Sequence, residues 1–153
     1  MSGPEGVQVR RYDAADFEEV VRLWRAARIQ VMPELEARMG HSPEDDATFF
    51  REQLLPENET WVVVEGGDVR GFLARKDDLL GYLYVDPSHQ RRGLGSRLFE
   101  KARELIPGGF HLYTHQANTM ARSFYEARGM KETARGVSPA PESEPDVRYG
   151  WTP

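Results

Sequence analysis

The sequence predicts a mixed α/β (α+β) fold: one mostly antiparallel sheet of six to seven strands with one parallel strand pair, and about four helices. Three observations carry this. Leu79 to Val85 is a continuous apolar strand that passes through Asp86-Pro87 and a glycine-bearing loop into a helix with Leu94, Leu98, Ala102 and Leu105 on one stripe. Pro107-Gly108-Gly109 then breaks that helix before a second strand, Phe110 to His115, which a right-handed crossover sets parallel to the first. Trp61 to Glu65 and Val69 to Arg75, joined by Gly66-Gly67-Asp68, form a hairpin beside them.

The other elements follow in order. Residues 1–6 are a Gly/Pro-containing leader, expected to be disordered, and Val7 to Arg11 is a short first strand. Asp13 caps a helix from Ala14 whose stripe is Phe17, Val20, Val21, Trp24, Ala27 and Val31, and Pro33 ends or kinks it. The connection from Pro33 to His41 carries little pattern. Ser42 as N-cap, Pro43 at the first position and the acids 44–46 in the first turn announce a second helix, which ends before Pro56. Asn118 caps a short helix, Thr119 to Arg128, that Gly129 terminates. Lys131 to Arg135 is a further strand, Gly136 to Pro145 a mobile proline- and serine-rich connection, and Val147 to Trp151 the strand that closes the sheet.

A chain of 153 residues fits one domain spanning 1–153, able to bury roughly 70% of the surface its unfolded form exposes. The apolar fraction of 39% excludes disorder throughout, and the net charge of −5 does not favour nucleic acid or anionic membrane as partners. Without cysteine there are no disulfides, thiolate metal sites or cysteine nucleophiles. His111 and His115 share a strand face but lie about 13 Å apart at 3.3 Å per residue, too far to share a metal, so no metal site is expected. No apolar run approaches a membrane span, and a cytoplasmic location is expected.

The chemistry lies in the loop Gln90-Arg91-Arg92-Gly93-Leu94-Gly95-Ser96. A helix's first turn offers unpaired N–H groups and the positive end of the peptide dipoles, and glycine leaves room for a bulky anion. Leu98 stands where G-x-G-x-x-G requires its third glycine, and no G-x-x-x-x-G-K-[ST] run exists, so neither the dinucleotide nor the P-loop fingerprint fits. The remaining pattern, Q-x-x-G-x-G after a strand, resembles the coenzyme A loop of the GNAT superfamily of N-acetyltransferases. A second segment agrees: Asn118, Ala121, Phe124, Tyr125, Glu126, Gly129 and Met130 resemble the family's N-x-x-A-x-x-F/L-Y-E-x-x-G-F, departing only at Met130, usually aromatic.

The resemblance implies a GNAT fold whose parallel strands splay apart, leaving the backbone of Leu83, Tyr84 and Val85 to pair with pantetheine amides. It implies acetyl-CoA as acyl donor, its diphosphate held by Gln90, Arg91, Arg92, Gly93, Leu94, Gly95 and Ser96, with either Arg91 or Arg92 reaching the adenosine 3′-phosphate. It further implies direct transfer to a primary amine of a small molecule or protein. Asn118 would orient the cofactor, the Val85 N–H would steady the oxyanion, and Tyr125 would meet the thioester sulfur as general acid or hydrogen-bond donor. A lysine ammonium needs about 4.6 kcal/mol to become neutral at pH 7, an α-amine only about 1. The base is accordingly open among Glu65, Tyr82, Tyr84, Tyr113 and His115, as are the acceptor and the oligomeric state, a homodimer included. The competing reading is a non-catalytic acyl-CoA-binding sensor of the same fold.

Overall fold

A computed structural model describes residues 6–153; most of the predicted leader lies outside them. Seven strands form one sheet in the order β1-β2-β3-β4-β5-β7-β6: β1 (Val7–Arg11), β2 (Glu59–Glu65), β3 (Asp68–Lys76), β4 (Leu79–Val85), β5 (Phe110–His115), β6 (Lys131–Val137) and β7 (Pro145–Trp151). Every neighbouring pair is antiparallel except β4 and β5. Gly66 and Gly67, both at positive φ, form the two-residue turn that closes β2 onto β3.

Helices cover both faces. On one lie α1 (Phe17–Val31), α2 (Pro33–Met39) and α3 (Pro43–Phe49), where Val20, Leu23, Trp24 and Phe50 pack against Val62, Phe72 and Ala74. On the other, α4 (Leu94–Leu105) and α5 (Thr119–Ala127) cover Val63, Leu73, Leu80 and Leu112. In α4 the predicted stripe is buried at Leu94, Leu98 and Ala102, with Phe99 beside them. Each fully buried Leu or Phe there contributes about 2–3 kcal/mol.

Four expectations change. The stretch after Pro33 is α2: proline takes the first position, Glu34 and Glu36 occupy the first turn, and Gly40 closes it in the left-handed region. The helix opened by Ser42 does not stop before Pro56 but continues through a π-helical stretch (Phe50–Leu54) into a last turn (Leu55–Glu57). Pro56 follows the π-type bond from the Leu55 N–H to the Phe50 carbonyl and lies in that last turn. The last strand, β7, does not close the sheet; it inserts between β5 and β6, burying Val147 and Tyr149, while the wholly exposed β6 takes the edge. The Gly136 to Pro145 connection is tethered rather than loose: Ser138 exchanges hydrogen bonds with Glu144, and Arg38 of α2 reaches Glu144 at 2.7 Å.

Arg25 and Arg28 of α1 both donate to the buried Asp46 of α3, at 2.8 and 2.9 Å, and Arg28 also grips Glu36 of α2. That network holds the three helices together over one side of the cleft described next.

Candidate active site

The site begins with a disagreement between two strands. β4 and β5 share a single register pair, Leu79 with His111, and the His111 N–H donates to the Asp78 carbonyl at 2.9 Å. Beyond it β4 has β3 on one side and no strand on the other. Gly81 is an extra residue opposite the Ala74/Arg75 step, and such a bulge re-aims the backbone after it. The Asp86 N–H bonds to Arg70 of β3, so by alternation the Leu83 and Val85 amides face the open side. Buried backbone groups without a partner are rare, which makes this edge a place for a ligand's amides.

The open edge leads to the start of α4. Gly93 caps it in the left-handed conformation, φ 79°, with no side chain bonded to the first-turn amides; the first intrahelical bond there runs from Arg97 to Gly93. Arg91 also has positive φ, 64°, so two of three successive residues of the loop are left-handed. Gly95 has a steric reason: a Cβ there would stand 3.1 Å from the Phe124 ring. The loop is anchored by Asp86, which accepts from the Ser88 amide and hydroxyl and from Arg22 of α1, and by a Gln90–Gln30 hydrogen bond.

These elements enclose a cavity of about 330 Å³ that contains Leu83, Tyr84, Val85, Gln90, Arg91, Gly93, Leu94, Gly95, Ser96, Asn118 and Tyr125. Of the cofactor-binding residues expected from sequence, Arg92 alone lies outside it, turned to Glu65 at 3.0 Å, and of the candidate bases only Tyr84 borders it. Arg128 is the residue the sequence reading missed. Its guanidinium stacks 3.6 Å above the centre of the Phe124 ring and donates to Ser96 Oγ, which places a cation beside the first turn of α4. Burial lowers its pKa, so its charge is poorly solvated and would be stabilised by an anion.

A second cavity, of about 700 Å³, opens on the α1/α2 side of the sheet and shares Val31, Tyr84 and Asn118 with the first. Asn118 caps α5 through its side chain, accepting from Ala121 N–H at 3.1 Å, and is thereby fixed at the junction. Tyr125 is 8% exposed, and its hydroxyl makes no hydrogen bond among the described residues. Burial raises its pKa, and burial pushes Tyr84 up to about 12, so both hydroxyls stay protonated near neutrality. Among the described residues no His, Cys, Asp or Glu cluster could hold a metal ion.

Residues 21–130 match the family model for the acetyltransferase (GNAT) family. The chain belongs to that family. It is similar to the peptidyl-lysine N-acetyltransferase YjaB of Salmonella typhimurium, 28% identical over 84% of this chain and 86% of that protein. Its fold is similar to yncA of Salmonella typhimurium solved with acetyl-CoA (TM-score 0.69, 18% identity, 97% and 94% of the two chains). It also matches the PaiA N-acetyltransferase of Thermoplasma acidophilum in complex with coenzyme A (TM-score 0.67, 18%, 95% and 99%). Acetyl-CoA is the donor cosubstrate of the family. The unpartnered amides at α4, the glycine cradle at Gly95 and the Arg128 cation fit a diphosphate carrier, and the free β4 edge fits its amide-bearing arm.

Proposed function

We propose that this protein transfers an acetyl group from acetyl-CoA directly to a primary amine, within a complex that holds both substrates. The observation that carries the reading is the meeting of two cavities at Tyr84 and Asn118, one bounded by amides and cations, the other open for an acceptor. Acetyl-CoA brings an activated acyl group as its thioester. The chain's part is to bind and orient: the amides of Gly95 and Ser96, with Arg91 and Arg128, hold the diphosphate, and Leu83 and Val85 pair with the arm. The Val85 N–H then faces the region where the oxyanion develops.

Tyr125 donates a hydrogen bond to the departing thiolate. Its raised pKa argues against giving up the proton outright, since a phenol less acidic than a thiol retains it. Likeness to a peptidyl-lysine acetyltransferase makes a lysine side chain the first acceptor to test. Mass spectrometry of lysine peptides and small amines incubated with acetyl-CoA tests the reading: acetylated product with stoichiometric thiol release supports it. Tight coenzyme A binding with no product across the panel would instead favour a sensor of the same fold.

A further inference from the structure

The second cavity contains a histidine flanked by two acids. His115 ends β5, and its Nε2 lies 2.9 Å from Glu142 Oε1, a residue of the segment joining β6 to β7. Across the β5–β7 ladder the register partner of His115 is Asp146, so the two side chains leave the same face of the sheet. All three border the cavity, alongside the shared residues Tyr84 and Asn118.

The neighbouring charges are mostly occupied elsewhere. Arg28 of α1 is taken by Glu36 and Asp46, Arg135 of β6 by Glu132, and Arg148 of β7 bonds Thr133 Oγ1. Asp146 has no salt-bridge partner among the described residues. The Glu142 backbone is held from α2: Arg38 donates to its carbonyl at 2.9 Å and pairs with Glu144. Burial would raise the Glu142 pKa, but the His115 hydrogen bond, Ser138 and Arg38 outweigh it and keep the carboxyl ionised.

The same geometry removes the other candidates for a base. Glu65 is bound to Arg92 and borders neither cavity. Tyr82 borders neither and packs against Trp24 and Phe72. Tyr84 is held protonated, and Tyr113 is 55% exposed with no hydrogen bond among the described residues to orient its hydroxyl.

We infer that His115 is the base that deprotonates the acceptor ammonium, that Glu142 is its positioning residue, and that Asp146 draws the ammonium to it. This deepens the proposed acetyl transfer and rests on it. An ionised carboxylate only accepts hydrogen bonds, so Nε2 carries the imidazole proton and Nδ1 keeps a lone pair. The ammonium gives one proton to Nδ1. The neutral amine forms the C–N bond as the thioester C–S bond breaks; its second proton goes to the leaving thiolate, giving thiol, and the proton on His115 passes to water. The overall change is ammonium plus thioester to amide, thiol and one released proton. Glu142 stabilises the transient imidazolium.

The test uses the full chain, a peptide with one internal lysine, and His115→Gln, Glu142→Gln and Glu142→Asp, with acetyl-CoA affinity measured separately by calorimetry. His115→Gln is expected to keep its acetyl-CoA affinity and lose about 10²-fold or more in kcat/KM at pH 7, a deficit that narrows toward pH 10 as solvent deprotonates the lysine. Glu142→Gln is expected to lose about tenfold in kcat with the KM for acetyl-CoA unchanged, and Glu142→Asp, which keeps an acceptor for Nε2–H, to recover part of that loss. A His115→Gln deficit constant from pH 7 to 10, or a Glu142→Asp variant no more active than Glu142→Gln, would overturn the assignment while leaving the donor site standing. Wild-type protein that binds acetyl-CoA but leaves the peptide unmodified would overturn it too. Absence of acetyl-CoA binding would fail the proposed function itself.

Discussion

Leu79 and His111 form the one register pair that joins β4 to β5, and from that pair the two strands part. The consequence is a free edge at Leu83 and Val85, whose amides face the cleft. Adding coenzyme A is expected to slow hydrogen exchange at those two amides by about tenfold or more, since a paired amide exchanges only on opening. The Tyr84 amide, on the β3 side, serves as the internal reference. Unchanged exchange at Leu83 and Val85 under saturating ligand would mean that the arm does not pair with this strand.

Tyr125→Phe removes one hydroxyl from a buried ring without altering the packing against Phe99, Phe124 and Tyr149. A hydrogen bond to a charged leaving group is worth about 1.5–3 kcal/mol, so kcat is expected to fall about 10- to 100-fold with coenzyme A affinity preserved. Because burial raises the Tyr125 pKa, the wild-type rate should show no loss from Tyr125 ionisation between pH 8 and 10. Steady-state thiol release across that range checks both statements.

Arg128→Gln keeps polarity and removes the charge beside Ser96. If the guanidinium meets a phosphate, coenzyme A affinity falls about 10- to 100-fold, and binding becomes less salt-dependent than in the wild type. Calorimetry at two ionic strengths reads this; equal affinities would place the diphosphate elsewhere in the loop.

What was legible in the sequence depended on how local its cause is. β4 and β5 match their expected bounds because an apolar run between turn residues needs no distant partner to be recognised. The loop and the Asn118 cap were legible because glycine and capping chemistry act within a few residues. The insertion of β7 between β5 and β6 was not, because strand order is decided by pairing across the whole chain. Arg128 meets Ser96 from 32 residues away and Glu142 meets His115 from 27, and neither contact leaves a periodic trace. Pro33 reads from sequence as the end of α1 rather than the start of α2, because a seven-residue helix offers too few turns for its stripe to stand out.

Two glycines separate stability from binding. A Cβ at Gly71 would lie 2.7 Å from the Tyr84 carbonyl oxygen, a backbone atom that cannot turn aside, with Leu98 3.3 Å away. Gly71→Ala is expected to cost about 2–3 kcal/mol in urea unfolding, in the range of overpacked core sites. At Gly95 the nearest atoms are the Phe124 ring edge at 3.1 and 3.2 Å, which can shift, but only with the ring that supports Arg128. Gly95→Ala should therefore weaken coenzyme A binding more than it destabilises the fold, and the reverse ranking of the two variants would refute this division.

Asp86 ties the binding loop to α1: its carboxylate accepts from Arg22 at 3.0 Å and from the Ser88 hydroxyl at 2.7 Å, and its side chain is 4% exposed. Burial alone would raise its pKa, but Ser88 and Arg22 outweigh that and hold it at about 2, against an ordinary 3.8. A carboxyl depressed on folding stabilises the fold above its unfolded pKa and loses that contribution as pH falls through the folded value. The shift corresponds to about 2 kcal/mol, fully present above about pH 5 and lost between about pH 4 and 2. Asp86→Asn should accordingly be less stable than wild type at pH 7, with the gap narrowing as the pH is lowered through that window. Urea titrations of both proteins at pH 7, 4 and 2.5 measure it. A gap independent of pH would show that the carboxylate's charge is not what holds the loop, and that the shape of the Asp86 side chain suffices.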